Sequence, residues 1–438
     1  MTTSLTRRLF LGAIAAALAL TTACGVGTQT GDVALSEEPV TLRFAWWGSD
    51  ARHALTQEAI DAFEAENPTI TVEGEFSDWT GYWDRIATTF AANDAPDVVQ
   101  MDEYYLRTYA DRGALLDLGQ ASEFLDTSAF SELSLASGQA EGVQYALPTG
   151  LSTLAVTANV GLFEQYGIPL PDDTTWTWDD FAAVSARFAQ ASGGAVAGLP
   201  VLGMDVGQMN VWARQHGTSI YDEQGAVSLD PAVLAQWWTY VRGLMDTGAT
   251  PRAERQAEFM GATLNQSGIV VGEAALQPQY NTQVSSLQGV MPDAELALLQ
   301  LPRDAGGEGP GTYYKPSMYW SVAASTEHPA EAARFLDFLA NSPVAAEILG
   351  TDRGIPANPQ QLEAIRPSLD GPALAAAEFQ ERIADVVTEA PPLTPPGASG
   401  IEQLSRRYVT EVIFDRLTPE QAAQGFVDEL TTSVANAG

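Results

Sequence analysis

From Val40 onward, short apolar runs alternate with stretches in which apolar residues recur at helical spacing. Residues 40–45 form an apolar run of strand length. Leu55, Ala59, Ile60 and Phe63 then return every three to four positions, which places them on one helical face, until Asn67-Pro68 ends the pattern. Residues 69–76 predict a second strand. Tyr82, Ile86 and Phe90 mark a second amphipathic helix, Asp94-Ala95-Pro96 stops it, and 97–101 is a third strand. A strand-helix-strand-helix-strand order implies parallel strands joined by right-handed crossovers.

A second α/β region follows Tyr145-Ala146-Leu147-Pro148. Thr177 with Asp180 three residues on is a helix start, and Trp178 between them is expected in the core. The glycines of 306–311 predict a loop, followed by a strand over 319–324 and a helix over 329–339. Residues 391–396, with four prolines, are extended, and Thr418-Pro419-Glu420-Gln421 combines a cap, an N1 proline and a capping-box partner. No internal repeat is visible. Since single cores seldom grow past about 250 to 300 residues, the 438 residues imply two domains.

In open α/β sheets, ligands sit beyond the carboxyl ends of the strands. That rule selects three loops: Trp46-Trp47-Gly48-Ser49-Asp50, Ser77-Asp78-Trp79 and Asp102-Glu103-Tyr104-Tyr105. Each sets aromatic rings beside carboxylates or hydroxyls. Rings stack on the flat C–H faces of sugars while Asp or Glu accepts hydrogen bonds from the hydroxyl rim. Tryptophans at strand ends also cap cores, and the sequence leaves that alternative open.

Charge narrows the partners. The chain holds 56 acidic residues against 21 basic ones, a net of −35, and loss of a leader carrying Arg7 and Arg8 leaves −37. Such a surface repels nucleic acid and anionic lipid. Lys315 is the only lysine. Pro316 follows it, which excludes a Walker A motif, and the Ser-x-x-Lys pattern of penicillin-recognising enzymes is approximated only by Thr312, without the partner Lys-Thr-Gly or Ser-Asp-Asn. His53, His216 and His328 lack metal-ligand spacing, so no metal, cofactor or catalytic residue is assigned. With so many acids, the carboxylate pair of a secreted glycosidase stays open on composition alone.

The first 23 residues predict an export signal. Thr6-Arg7-Arg8-Leu9-Phe10-Leu11 resembles a twin-arginine motif, and the apolar stretch ending at Leu20 is too short to span a bilayer. Cys24, the sole cysteine, follows Thr21-Thr22-Ala23 in a pattern resembling a bacterial lipobox, although Leu20 lies four residues before it rather than three. A lipid on Cys24 and a flexible tether over 24–39 would hold the protein at the outer face of the cell membrane; a free buried cysteine is the alternative.

Across the mature chain the residues resemble family 1 extracellular solute-binding proteins, the maltose-binding-protein-like group. The likeness rests on Ala62-Phe63-Glu64-Ala65-Glu66-Asn67-Pro68; on Ala95-Pro96-Asp97-Val98-Val99 followed by Arg112-Gly113-Ala114-Leu115-Leu116-Asp117-Leu118; on Gln144-Tyr145-Ala146-Leu147-Pro148 with Asn159 and Thr177-Trp178; and on His328-Pro329-Ala330-Glu331 with Gly354-Ile355-Pro356-Ala357. Each motif is weak alone; their order and spacing are specific.

The resemblance implies a two-lobed, type II periplasmic-binding-protein-like α/β fold. Each lobe would be a mixed, mostly parallel sheet flanked by helices, with a multi-strand hinge crossing near Pro148, Pro316 and Pro356. Lobe one would span 40–149 plus 316–356, and lobe two 150–315 plus 357–438. The implied cleft residues are Trp47, Asp50, Asp78, Trp79, Asp102, Tyr104, Tyr280, Tyr319, Trp320 and Arg353. The implied function is capture of a neutral carbohydrate by a monomer that delivers it to the permease of an ABC importer and touches the membrane only through its lipid. The alternatives are a polyol phosphate or other small polar solute, a sensory role, or a secreted hydrolase.

Overall fold

The computed structural model describes residues 33–437. The leader arginines and Cys24, with the lipid assigned to it, lie outside the described residues. Among the described residues, no helix is long and apolar enough to cross a membrane.

The N-terminal pattern folds as its periodicity dictates: β1 (Val40–Trp47), α1 (Asp50–Glu66), β2 (Ile70–Ser77), α2 (Trp79–Ala91), β3 (Val98–Met101) and α3 (Glu103–Asp111). β1 pairs in parallel with β2 from Val40 opposite Ile70, and with β3 at Phe44 opposite Val98. Each strand ends one or two residues before its helix because a short polar side chain caps the helix at once. Ser49 accepts from the Arg52 amide, Asp78 from Gly81 and Asp102 from Tyr104.

The remaining strands are the hairpin β4 (Gln139–Ala140) and β5 (Val143–Gln144), then β6 (Leu147–Ser152), β7 (Leu154–Asn159), β8 (Leu276–Tyr280), β9 (Leu296–Leu299), β10 (Lys315–Val322) and β11 (Ile355–Pro356). Two larger sheets result, in the orders β11-β6-β10-β3-β1-β2 and β8-β7-β9. Among the described residues, parallel ladders occur only in β2-β1-β3, with single parallel bridges joining Thr177 to Arg303, Ala197 to Ala274 and Tyr313 to Thr388. β10, β6 and β11 join the first sheet antiparallel, and the three-stranded sheet is antiparallel throughout. Of the mixed, mostly parallel sheets expected in each lobe, the six-stranded sheet is mixed, but antiparallel pairs outnumber parallel ones. The difference is topological, since only the helix-linked βαβ run returns its strands in one direction, whereas β8, β9, β10 and β11 come back to their neighbours reversed.

β6 runs into β7 with Thr153 alone between them, so one extended segment belongs to both sheets. Beside it, Pro316 lies opposite Leu151 and Pro356 opposite Gly150. Gly150 is required there, because a Cβ would stand 2.2 Å from the Arg353 carbonyl oxygen. These strands form the floor between the lobes.

Strand alternation splits the core of the six-stranded lobe. Phe44, Trp46, Trp320 and Phe335 pack on one face, while Ala45, Trp47, Tyr82, Met101 and Tyr319 pack on the other. The second lobe is built around Trp178, Phe181, Trp212, Trp237 and Trp238. Trp178 is a core residue, its Nε1 donating to Gln215 Oε1 at 2.7 Å. Both predicted capping boxes form, Thr177 with Asp180 and Thr418 with Gln421.

Candidate ligand cleft

A small, partly open cavity of about 60 Å³ lies where the two lobes and the connecting strands meet. Glu103 and Tyr104 reach it from the first turn of α3, and Tyr319 from β10. Lys315 and Pro316 form its floor. The opposite wall is Tyr280 at the end of β8, Asn210 in the helix Val206–Gln215, Tyr221, Tyr313, and Glu402 in the helix Ile401–Ile413. Ser137, Tyr221 and residues 390–393 also line an outer vestibule of about 1100 Å³, so the two spaces adjoin.

The only lysine stands at the centre. Lys315 Nζ is 3.0 Å from Glu103 Oε1 and 5.7 Å from the centroid of the Tyr280 ring. Burial alone would pull the ammonium pKa down, but Glu103, Asp102 and Glu402 outweigh it, and the group ends above its ordinary value. Two acids near it, Asp102 and Asp205, are raised as well, which for a carboxyl group disfavours the charged form. Burial raises Asp102 to about 6, with Lys315 opposing and Glu103 adding. Asp205, which caps the helix Val206–Gln215 by accepting from the Gln208 amide at 2.9 Å, is raised to about 6 by burial, with Glu402 adding. The start of that helix abuts Tyr280: a Cβ on Gly207 would lie 2.7 Å from the tyrosine oxygen.

Two contacts close the cleft. Tyr104 Oη donates to Glu402 Oε1 at 2.7 Å. Arg107, one turn further along α3, donates to the carbonyls of Glu223 at 3.0 Å and Gln224 at 3.4 Å. Within the cavity wall, Tyr221 Oη and Asn210 Oδ1 are buried without hydrogen-bond partners among the described residues.

The residues expected from sequence divide. Tyr104, Tyr280 and Tyr319 line the cavity, with the Tyr319 hydroxyl donating to Ser137 O at 2.9 Å, and Asp102 stands beside Lys315 as the cap of α3. The others sit elsewhere. Trp320 is 2% exposed, edge-on to Phe44 at 5.4 Å, because adjacent strand residues face opposite ways and Tyr319 takes the cleft side. Arg353 packs its guanidinium 4.8 Å over that indole and donates to Gln100 Oε1 at 3.0 Å and Thr56 Oγ1 at 2.8 Å; burial, and then Arg52, lower its pKa to about 9. It ties α1 to β3 inside one lobe. Trp47 is 7% exposed, enclosed by Trp79 at 5.0 Å, Tyr82 at 5.1 Å and Trp83 at 5.7 Å. Trp79 is 41% exposed but lies edge-on to Trp47 and Trp83, Asp78 caps α2, and Asp50 is exposed in the first turn of α1.

Sequence reasoning missed Glu103, Asn210, Tyr221, Tyr313, Lys315 and Glu402 as cleft residues. Glu103 lies inside a loop that the strand-end rule selects, and Lys315 stands out as the only lysine. For Asn210, Tyr221, Tyr313 and Glu402, sequence carries no local signal.

Two lobes joined by shared strands, with a polar and aromatic cleft between them, define a clamp-type binding protein. Residues 58–374 match the family model described as bacterial extracellular solute-binding protein, and the chain belongs to that family. Such proteins bind small solutes and work with ABC-importer permeases. Among solved structures, the chain resembles a family 1 extracellular solute-binding protein from Alicyclobacillus acidocaldarius, 29% identical, with a TM-score of 0.76 over 91% of this chain and 99% of that one. A periplasmic oligogalacturonide-binding protein from Yersinia enterocolitica, at 22% identity, shares the fold with a TM-score of 0.77 over 91% and 99% of the two chains. An uncharacterized lipoprotein of Streptomyces antibioticus is 26% identical over 347 residues, 75% of this chain and 71% of that protein.

Proposed function

We propose that this protein is the solute-capturing subunit of an ABC importer and that it holds a carbohydrate in the cleft around Lys315. The supporting observation is the convergence of tyrosine rings and carboxylates from both lobes on one cavity over the connecting strands. Tyr104, Tyr221, Tyr280, Tyr313 and Tyr319 offer ring faces and hydroxyls. Glu103 and Glu402 offer acceptors for a hydroxyl rim. A solute gripped from both sides stabilises the closed arrangement, because only a guest touching both lobes distinguishes closed from open. The acid-rich lining disfavours a phosphate or other anion, so of the expected neutral carbohydrate we retain the absence of negative charge.

We take the lobes as 40–149 plus 316–356 and 150–315 plus 357–438, with the strands around Pro148, Pro316 and Pro356 as the hinge. Cys24 is read as the site of a lipid anchor, a reading that the lipoprotein relative supports. The test is thermal shift of the purified chain against a saccharide panel. A ligand at about 100 times its Kd adds roughly 2.7 kcal/mol of stability, so a saccharide that binds raises the melting temperature. If no saccharide stabilises the protein while solutes of another class do, the carbohydrate reading fails.

A further inference from the structure

The charges around the cavity do not balance. Glu103 and Glu402 line it, and Asp102 and Asp205 cap the helices at its edge, close enough to act on Lys315 and Glu402. Against these four carboxylates stands one ammonium, Lys315. The vestibule repeats the excess, with Glu141, Asp222, Glu223, Glu308 and Glu389 facing two arginines. Both arginines are engaged: Arg107 by the carbonyls of Glu223 and Gln224, and Arg214 by Thr388 Oγ1 at 2.8 Å and the Glu389 carbonyl. A solute entering from solvent therefore meets negative potential along the whole path.

Lys315 shows how the cavity treats a positive nitrogen, setting it 3.0 Å from a carboxylate and near the face of a tyrosine ring. Two further polar oxygens in the wall remain uncommitted. The Tyr221 oxygen and Asn210 Oδ1, on residues 5% and 6% exposed, line the cavity without hydrogen-bond partners among the described residues. Asn210 Oδ1 only accepts, so it needs an N–H or O–H donor. A hydroxyl would satisfy these acceptors and leave the charge excess in place, whereas a protonated amine satisfies both. Asp102 and Asp205 are desolvated at the edge of the cavity and share the single ammonium of Lys315 with Glu103, so a cationic guest lowers the cost of keeping these acids charged.

We propose that the carbohydrate bound in this cleft carries a basic amine, that is, an amino sugar with unacylated nitrogen, and that Glu402 and Glu103 select it over neutral and acidic saccharides. This rests on the carbohydrate reading above and narrows it.

The experiment measures thermal shift and titration calorimetry on the full chain with a glucosamine oligomer, its fully N-acetylated counterpart, a malto-oligosaccharide of equal length, a galacturonate oligomer and spermidine. The expected result is stabilisation by the glucosamine oligomer alone, lost as pH rises through the amine pKa. Glu402→Gln, at an exposed helix start where folding is not at stake, should weaken that binding about 10-fold or more while keeping the bond from Tyr104. Equal or stronger binding of the acetylated, neutral or acidic oligomer overturns the amine proposal and leaves the carbohydrate reading intact. Stabilisation by spermidine without any saccharide overturns both, as does a null result across the panel.

Discussion

Asp205→Asn should make the protein more stable, and only above the acid range. Asparagine caps a helix as well as aspartate does, so the bond from the Gln208 amide survives and the substitution removes charge alone. In the folded protein, burial holds the Asp205 pKa near 6, with Glu402 adding to the rise. In the unfolded chain it returns to about 3.9. The folded state thus binds a proton that the unfolded state has already lost between about pH 4 and pH 6. Its stabilising effect is complete below the unfolded value and disappears as pH rises through the folded one. Asparagine mimics the protonated form at every pH. The gap between variant and wild type should be nil below about pH 3, open between about pH 4 and pH 6, and level off above that. Two pKa units correspond to about 3 kcal/mol; because Asp205 keeps some solvent access, about 1 to 3 kcal/mol is expected. Equilibrium urea unfolding across this range, with an unchanged m value, measures it. If the variant is no more stable at neutral pH, or its advantage does not vary with pH, Lys315 already compensates Asp205 in full and the acid-excess account of the cleft is wrong.

Two other predictions follow from placement. Trp320→Ala should cost about 3 to 5 kcal/mol in urea unfolding, the usual penalty for truncating a buried indole, and Trp47→Ala should also destabilise; each folded variant should bind ligand as wild type does. Preserved stability with lost binding would return these rings to the cleft. Arg107→Ala removes the bonds to Glu223 and Gln224. Its loss should shift the protein toward the open form by about 1 to 3 kcal/mol, raising the radius of gyration in small-angle scattering; an unchanged profile would mean these bonds do not hold the lobes together.

Much of the fold was legible because its determinants are local. The helical period of Leu55, Ala59, Ile60 and Phe63, the breaks at Pro68 and Pro96, and the caps at Thr177 and Thr418 act within a few residues and fold as expected. The antiparallel sheet was not legible, since its partners lie more than a hundred residues apart and pair through topology. The strand-end rule selects the loop that opens α3, while the tryptophans it selects, Trp47 and Trp79, pack against each other and against Trp83. The resemblance implies both Tyr319 and Trp320, and which of the two neighbours faces the cavity depends on the register of β10 with β3 and β6. Asn210 and Glu402 reach the cavity from helices whose sequence spacing to Glu103 carries no information.

α3 shows how binding and closure are linked. Glu103, Tyr104 and Arg107 are spaced so that a helical period of 3.6 places them on neighbouring parts of one face. Each makes a different long-range contact: Glu103 with Lys315 on the connecting strand, Tyr104 with Glu402, and Arg107 with the carbonyls of Glu223 and Gln224. The last two cross the cleft, and all three side chains stand on one rigid element whose cap is Asp102. Opening the lobes must therefore break the crossing bonds together rather than one at a time, which makes closure cooperative. An amine that reaches Glu103 or Glu402 engages the same face, so its binding energy is spent on the closed arrangement, and a variant that loosens α3 should weaken ligand binding and closure in parallel.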